Sequence, residues 1–117
     1  MKYMLLVYLD EKSLTEEEYR DCYAKSAALT QELNATGNYL AASPLHPVAT
    51  ATSVQIRGGK RIVTDGPFAE TREQLGGYYV IEAADLDEAL AIAERVPPVK
   101  FGTIEVRPIL ELSGLPG

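Results

Sequence analysis

Residues 2–9, Lys-Tyr-Met-Leu-Leu-Val-Tyr-Leu, constrain the fold more than any other stretch of the chain. In an extended strand, successive side chains point to opposite faces. Tyr3, Leu5, Val7 and Leu9 then share one face, and Met4, Leu6 and Tyr8 share the other, so both faces are apolar. Tyr78-Tyr79-Val80-Ile81-Glu82 has the same character. A sheet with one wet face alternates apolar and polar residues. A two-faced strand needs cover on each side, and the chain has few elements to supply it. Two stretches carry helical periodicity. Over 15–35, Thr15 with Glu18 reads as a capping box, and Glu16, Glu17 and Glu18 occupy the first turn, where the helix dipole favours acids. Tyr19, Cys22, Ser26, Leu29 and Leu33 step by three and four, Tyr23 and Ala27 widen the stripe, and Gly37 is placed as the C-terminal cap. The second helix starts at Asp85, with Glu88 completing another capping box. It carries Leu86, Ala89, Leu90 and Ala93 and is predicted to end at Pro97-Pro98.

The remaining segments read as short strands and turns. Tyr39-Leu40-Ala41-Ala42 is a strand, and Ser43-Pro44-Leu45-His46-Pro47 a rigid loop. Thr52 to Arg57 alternates, Gly58-Gly59 signals a tight hairpin, and Arg61 to Thr64 is the returning strand. Thr103 to Ile109 forms the last strand, with Ile104 and Val106 on one face and Thr103, Glu105 and Arg107 on the other. The order β-α-β, hairpin, β-α-β predicts an α+β domain, a ferredoxin-like β-α-β repeat with both helices on one face of an antiparallel sheet. Residues 1–117 form one domain, with 113–117 a loose tail. The helices cover one apolar face of the sheet. The other is expected to meet a second copy, giving a homodimer with two sheets face to face.

Charge narrows the function classes. The chain carries a net charge of −6 and a pI near 4.7, which argues against a nucleic-acid surface. No apolar run approaches about 18 residues, so no membrane span is expected. The N-terminus has no small-residue cleavage site and runs straight into Asp10-Glu11, so it reads as a first strand rather than a signal peptide. The single Cys22 cannot form an internal disulfide, and a cytoplasmic location is expected. Its place on the apolar stripe marks it as a structural thiol rather than a nucleophile. One His, one Cys and scattered acids give no metal-ligand spacing. No cofactor is expected: Gly58-Gly59-Lys60-Arg61 lacks the Walker spacing, and there is no Gly-x-Ser-x-Gly elbow.

The densest polar chemistry lies in Asp65-Gly66-Pro67-Phe68-Ala69-Glu70 and onward to Gly77. Asp-Gly-Pro forces a turn. The run is too polar and too broken by Gly and Pro for a strand or helix interior, so it is expected to be an ordered loop of the kind that carries function. His46, the only histidine, can serve as a general acid or base, with Asp65 orienting the ring. Equally, His46 can be a structural residue set between Pro44 and Pro47, and Asp65 can bond its own turn backbone. Glu70, Arg72 and Glu73 read either as the rim of a pocket or as an ion-pair set fixing the loop. Glu105 and Arg107 read either as a polar ligand site on the dimer-facing sheet, with Arg107 suited to a carboxylate, or as a cross-strand pair.

The chain resembles the YCII-related family, in particular its DGPF branch. The resemblance rests on Met1-Lys2-Tyr3-Met4-Leu5, His46-Pro47, Thr50-Ala51-Thr52, Val63 through Thr71, Glu73 through Tyr79, Asp85 through Ala89 and Gly102 through Pro108. It implies a dimeric α+β barrel. Some members use a His–Asp pair whose His lies on the first helix; residues 15–35 contain no His, so that assignment does not transfer. The branch's association with extracytoplasmic-function sigma factors implies a signalling or accessory role. Two functions follow. One is binding of a small polar molecule in a cleft near the Asp-Gly-Pro loop, with His46 and Asp65 as acid–base groups and Arg72 or Arg107 holding an anionic group. The other is a non-catalytic accessory protein with a sigma factor as its partner.

Overall fold

In the computed structural model, which describes residues 1–116, the chain forms β1 (Lys2–Leu9), α1 (Glu16–Ala35), β2 (Tyr39–Pro44), β3 (Thr52–Arg57), β4 (Lys60–Asp65), β5 (Gln74–Glu82), α2 (Leu86–Ala93) and β6 (Thr103–Pro108). Four strands make one sheet in the order β2-β5-β1-β6, and every pairing is antiparallel. This is the ferredoxin-like α+β arrangement. The two-faced strands, β1 and β5, take the two central places of the sheet, each with a hydrogen-bonded neighbour on both sides.

The core lies between the sheet and the helices. Tyr3, Leu5, Val7 and Leu9 of β1 and Tyr79 and Ile81 of β5 are buried against Leu29 and Leu33 of α1, Ala89, Ile92 and Ala93 of α2, and Val96. On the opposite face, Met4, Leu6, Tyr8, Tyr78 and Val80 are only half-buried. The register sets Met4 between Val80 and Arg107, and Leu6 between Tyr78 and Glu105. The result is a continuous apolar strip with a charged edge along β6.

Local chemistry fixes the helix ends. Thr15 Oγ1 accepts from the Glu18 N–H at 3.2 Å, and the Glu18 carboxylate accepts from the Thr15 N–H at 2.9 Å, closing the predicted box. At the other end Gly37 takes φ +79°, the Asn38 N–H donates to Leu33 O at 2.9 Å and the Gly37 N–H donates to Asn34 O at 3.2 Å. This paired return is the Schellman cap. In α2, Asp85 accepts from the Glu88 N–H at 2.9 Å, but Glu88 does not reach back. Its carboxylate instead accepts from Asn38 Nδ2 at 2.8 Å, which ties α2 to the start of β2. Nor does α2 run to Pro97-Pro98. It ends at Ala93, and i→i−3 bonds tighten the next turn so that Val96 can bury itself.

Three strands are longer than the sequence suggests. β4 gains Lys60 and Asp65, so Asp65 closes a ladder rather than opening the loop. β2 continues through Ser43-Pro44, which an edge strand tolerates because one side of it needs no donor. β5 begins at Gln74, so Gln74-Leu75-Gly76-Gly77 belongs to the sheet and not to the loop. The pairing with β1 slips between Val7 and Tyr8, leaving Gly76 as a bulge. At Gly77 the edge strand comes so close that a Cβ would stand 3.0 Å from Ser43 O. The glycines that argued against a strand are what allow this close approach. β3 and β4 form a separate two-stranded hairpin closed by Gly58 (φ +57°) and Gly59 (φ +76°), the geometry of a type I′ turn.

Candidate functional site

The apolar stripe of α1 does not bury evenly. Leu29 and Leu33 are sealed, whereas Tyr19, Cys22 and Ser26 are only half-buried and Tyr23 is 48% exposed. The reason lies opposite them. β2 presents Ala42 and Ser43, and β5 presents Gly76 and Gly77, where larger side chains would be needed to fill the space. The outcome is a cleft of about 520 Å³ with mostly apolar walls, between the first turns of α1 and the β2–β5 edge of the sheet. Val7, Leu9, Tyr39 and Tyr79 line its sheet side.

The polar side chains along the walls of this cleft are hydroxyls and a thiol, with the Glu11 carboxylate at its end. The Tyr19 hydroxyl donates to Glu11 O at 2.9 Å. Burial, and then the nearby Glu11 carboxylate, push its phenol above the usual tyrosine range. Burial likewise raises the Cys22 thiol, with Asp21 adding to it. Burial raises Tyr79 too, partly offset by a hydrogen bond with the Ser26 hydroxyl. The cleft therefore offers hydroxyls and a protonated thiol but no fixed charge among these groups. Glu11 stands at its end, half-buried. Its carboxylate accepts from the Val48 N–H at 2.8 Å, and its own N–H donates to Gln74 Oε1 at 3.0 Å. Glu11 thus clamps the segment that follows β2 onto the start of β5.

A second cleft, of about 560 Å³, lies on the other side of that segment. His46 lines it together with Pro67, Ala69 and Thr71 of the Asp-Gly-Pro loop, and with Tyr8 and Leu75 of the sheet. Leu45 and Pro47 border both clefts and so form the wall between them. His46 and the loop thus border one cleft, without Asp65.

The comparison with known proteins matches this framework. The family model for the YCII-related domain covers residues 1–113. The chain belongs to the YCII-related family. Within that family, an uncharacterised protein of Rhizobium meliloti (strain 1021) is 36% identical over 114 residues, spanning 93% of this chain and 92% of the relative. Among solved structures, the 5-chloro-2-hydroxyhydroquinone dehydrochlorinase TftG of Burkholderia phenoliruptrix AC1100, in complex with 2,5-dihydroxybenzoquinone, aligns with a TM-score of 0.57 over 94% of each chain. It is 18% identical, a level at which the likeness establishes the fold.

In this YCII-related protein the other expected site residues are spread out. Asp65 ends β4, exposed and paired with Thr52, and lines neither cleft. Among the described residues no ion pair joins His46 to a carboxylate, Asp65 included. The turn at Gly66 is closed from outside it: its N–H donates to Ala51 O at 2.7 Å and its carbonyl accepts from Ser53 Oγ at 2.9 Å. Glu70 and Arg72 are exposed and, among the described residues, take part in no ion pair, while Glu73 accepts from the Thr103 hydroxyl at 2.8 Å. Glu105 and Arg107 pair at 3.4 Å along one strand rather than across two. Both are solvent-facing, so the pair contributes little stability. They border the open sheet face and lie outside both clefts. Sequence reasoning passed over Glu11 and Gln74. The available signal was Asp10-Glu11-Lys12 directly after an apolar strand, which reads as a strand end. Among the described residues no cluster of three or more His, Cys, Asp or Glu is placed to hold a metal, and no helix is long and apolar enough to cross a membrane.

Proposed function

We propose that this YCII-related protein binds a small molecule in the cleft beneath α1. The ligand has an apolar, ring-sized body and a few uncharged polar groups at its edge. One observation carries the reading: a cavity of about 520 Å³ in the helix–sheet layer, left open by small residues opposite Tyr19, Cys22 and Ser26. Ligand sites fall at roughly 300–1,000 Å³, with mainly apolar walls and a few convergent polar groups. The neutral hydroxyls of Tyr19, Tyr79 and Ser26 are suited to a hydroxyl or carbonyl group and give a carboxylate no counter-charge. The body of the ligand is therefore less polar than the sequence suggested. His46 lies in the adjoining cleft, behind the Leu45–Pro47 wall and without Asp65 as orienter, so this reading is one of binding and gives His46 no proton transfer to the ligand. The same reading includes a homodimer formed through the apolar strip of Met4, Leu6, Tyr8, Tyr78 and Val80.

Cys22 reports occupancy directly, because it lines the cleft. Its raised pKa keeps the thiol protonated at neutral pH, so alkylation is expected to be slower than for a free thiol and to speed up as pH rises. A panel of phenols, quinones and cyclic hydroxy-ketones is then screened by Cys22 alkylation and thermal shift. A true ligand slows alkylation and raises the melting temperature. Ser26→Leu fills the cleft and removes both effects while leaving the fold intact. If no compound protects Cys22, and Ser26→Leu neither slows its alkylation nor raises the melting temperature, the ligand reading fails. The accessory role, with the Asp-Gly-Pro loop as a partner-binding element and a sigma factor as partner, then takes its place.

A further inference from the structure

We propose that the β3–β4 hairpin is an arm with which one copy of this chain grips a second. The hairpin stands away from the body. The radius of gyration is 16.0 Å, against about 13 Å for a compact domain of this length. Each of its strands packs closely only on the other. A lone two-stranded hairpin is marginally stable in water and needs a surface to pack on. This one has the side chains for that purpose. Val54 faces Val63 across the ladder, with Ile56 next to them on the same face, and the three are 64%, 49% and 61% exposed. Scattered exposed aliphatics are ordinary, but three β-branched side chains together on one face of a projecting arm are an unfilled contact.

Charge identifies the occupant. Arg57, Lys60 and Arg61 cluster at the tip, no acid lies between Thr52 and Thr64, and among the described residues none of the three forms an ion pair. The rest of the chain holds only eight basic residues against seventeen acidic ones. A basic apolar arm on an acidic body is complementary to another copy of the same molecule. A two-fold pairing satisfies both arms at once. The base of the arm is fixed by the Gly66–Ala51 and Ser53–Gly66 bonds, so its direction is set before binding and little ordering remains to be done. The inference goes beyond the open-face dimer, because it assigns a contact to residues outside the main sheet.

The test uses sedimentation of the full chain at low and high salt. Two variants are compared with wild type: Val54→Asp with Ile56→Asp, and Arg57→Gln with Lys60→Gln and Arg61→Gln. Each is expected to raise the dissociation constant of self-association by about tenfold or more, and the charge variant to lose most of the salt dependence. None of these side chains is in the core, so circular dichroism stays that of wild type. Hydrogen exchange gives an independent readout. Amides of residues 52–65 are expected to become protected as protein concentration rises. If the protein self-associates but both variants stay within about twofold of wild type and the arm amides ignore concentration, the arm proposal is overturned while the open-face dimer stands. A wild-type chain that stays monomeric at every concentration overturns both.

Discussion

Leu33→Ala is expected to remove about 3 kcal/mol of stability and to lower the melting temperature by about 12 °C. Leu33 is completely buried and lies in the last turn of α1, against the core built on β1 and β5. Truncation removes its burial and leaves a void that the neighbours fill only in part. Collapse is hindered here because the chain cannot slide: Leu33 O is held by the Asn38 N–H at 2.9 Å, and Asn38 is itself bonded to Glu82 O and Glu88. Tyr23→Ala, on the same helix but largely exposed, is expected to change stability by about 0.5 kcal/mol or less. Urea unfolding with an unchanged m-value measures both. A loss below about 1 kcal/mol at Leu33 would mean that α1 is not anchored at its C-terminal end, and the cleft at its N-terminal end would then be a consequence of a loose helix rather than a built cavity.

The contrast between the two ends of α1 shows how much the sequence could disclose. Periodicity marks the face on which Tyr19, Cys22, Ser26, Leu29 and Leu33 lie, and the structure keeps them on it. Periodicity is silent on what stands opposite. Large side chains meet Leu29 and Leu33; Ala42, Ser43, Gly76 and Gly77 meet the other three. Burial is a property of the pair of surfaces, so the cleft had no signal along α1. The caps at Thr15 and Gly37 and the Gly58-Gly59 hairpin were legible because each depends on a few neighbouring residues. The start of β5 was not, because its reason is a close contact with β2, far away in the chain. His46 and the Asp-Gly-Pro loop border one cleft, while Asp65 is the last residue of a ladder and not a member of the cleft wall. Eighteen residues separate His46 and Asp65 in sequence; β3 and β4 run out and back over most of that interval and leave Asp65 at the base of the arm, paired with Thr52 and outside the wall of the His46 cleft.

Gly102→Ala is expected to be among the most damaging single-methyl changes in the chain, with a loss of about 3 kcal/mol. Gly102 leads into β6, and its N–H donates to Pro98 O at 2.8 Å. A Cβ there would overlap the Tyr8 carbonyl oxygen and stand 3.3 Å from both Cα and Cβ of Leu9. These are mostly backbone atoms of the central strand, which cannot retreat without disturbing the pairing of β1 with β5. The methyl also narrows the unfolded ensemble, which by itself favours folding by about 0.4–1 kcal/mol, but the clash outweighs that gain. Two other glycines set the scale. At Gly77 the added methyl meets Ser43 O at 3.0 Å and Pro44 Cα at 3.3 Å, but β2 is an edge strand and can shift slightly, so a smaller loss is expected. At Gly76 its nearest neighbour is Leu9 Cδ2 at 3.5 Å, a side-chain atom in ordinary contact, so Gly76→Ala is expected to be neutral or slightly stabilising. Thermal unfolding of the three variants should therefore rank Gly76 above Gly77 above Gly102, and equal melting temperatures would show that β6 does not enter beside Tyr8 as described. The damage at Gly102 has a further readout, because Tyr8 lines the His46 cleft. Any Gly102→Ala protein that still folds must displace the Tyr8 backbone, so the histidine resonances of His46 are expected to shift in this variant and to stay in place in Gly76→Ala.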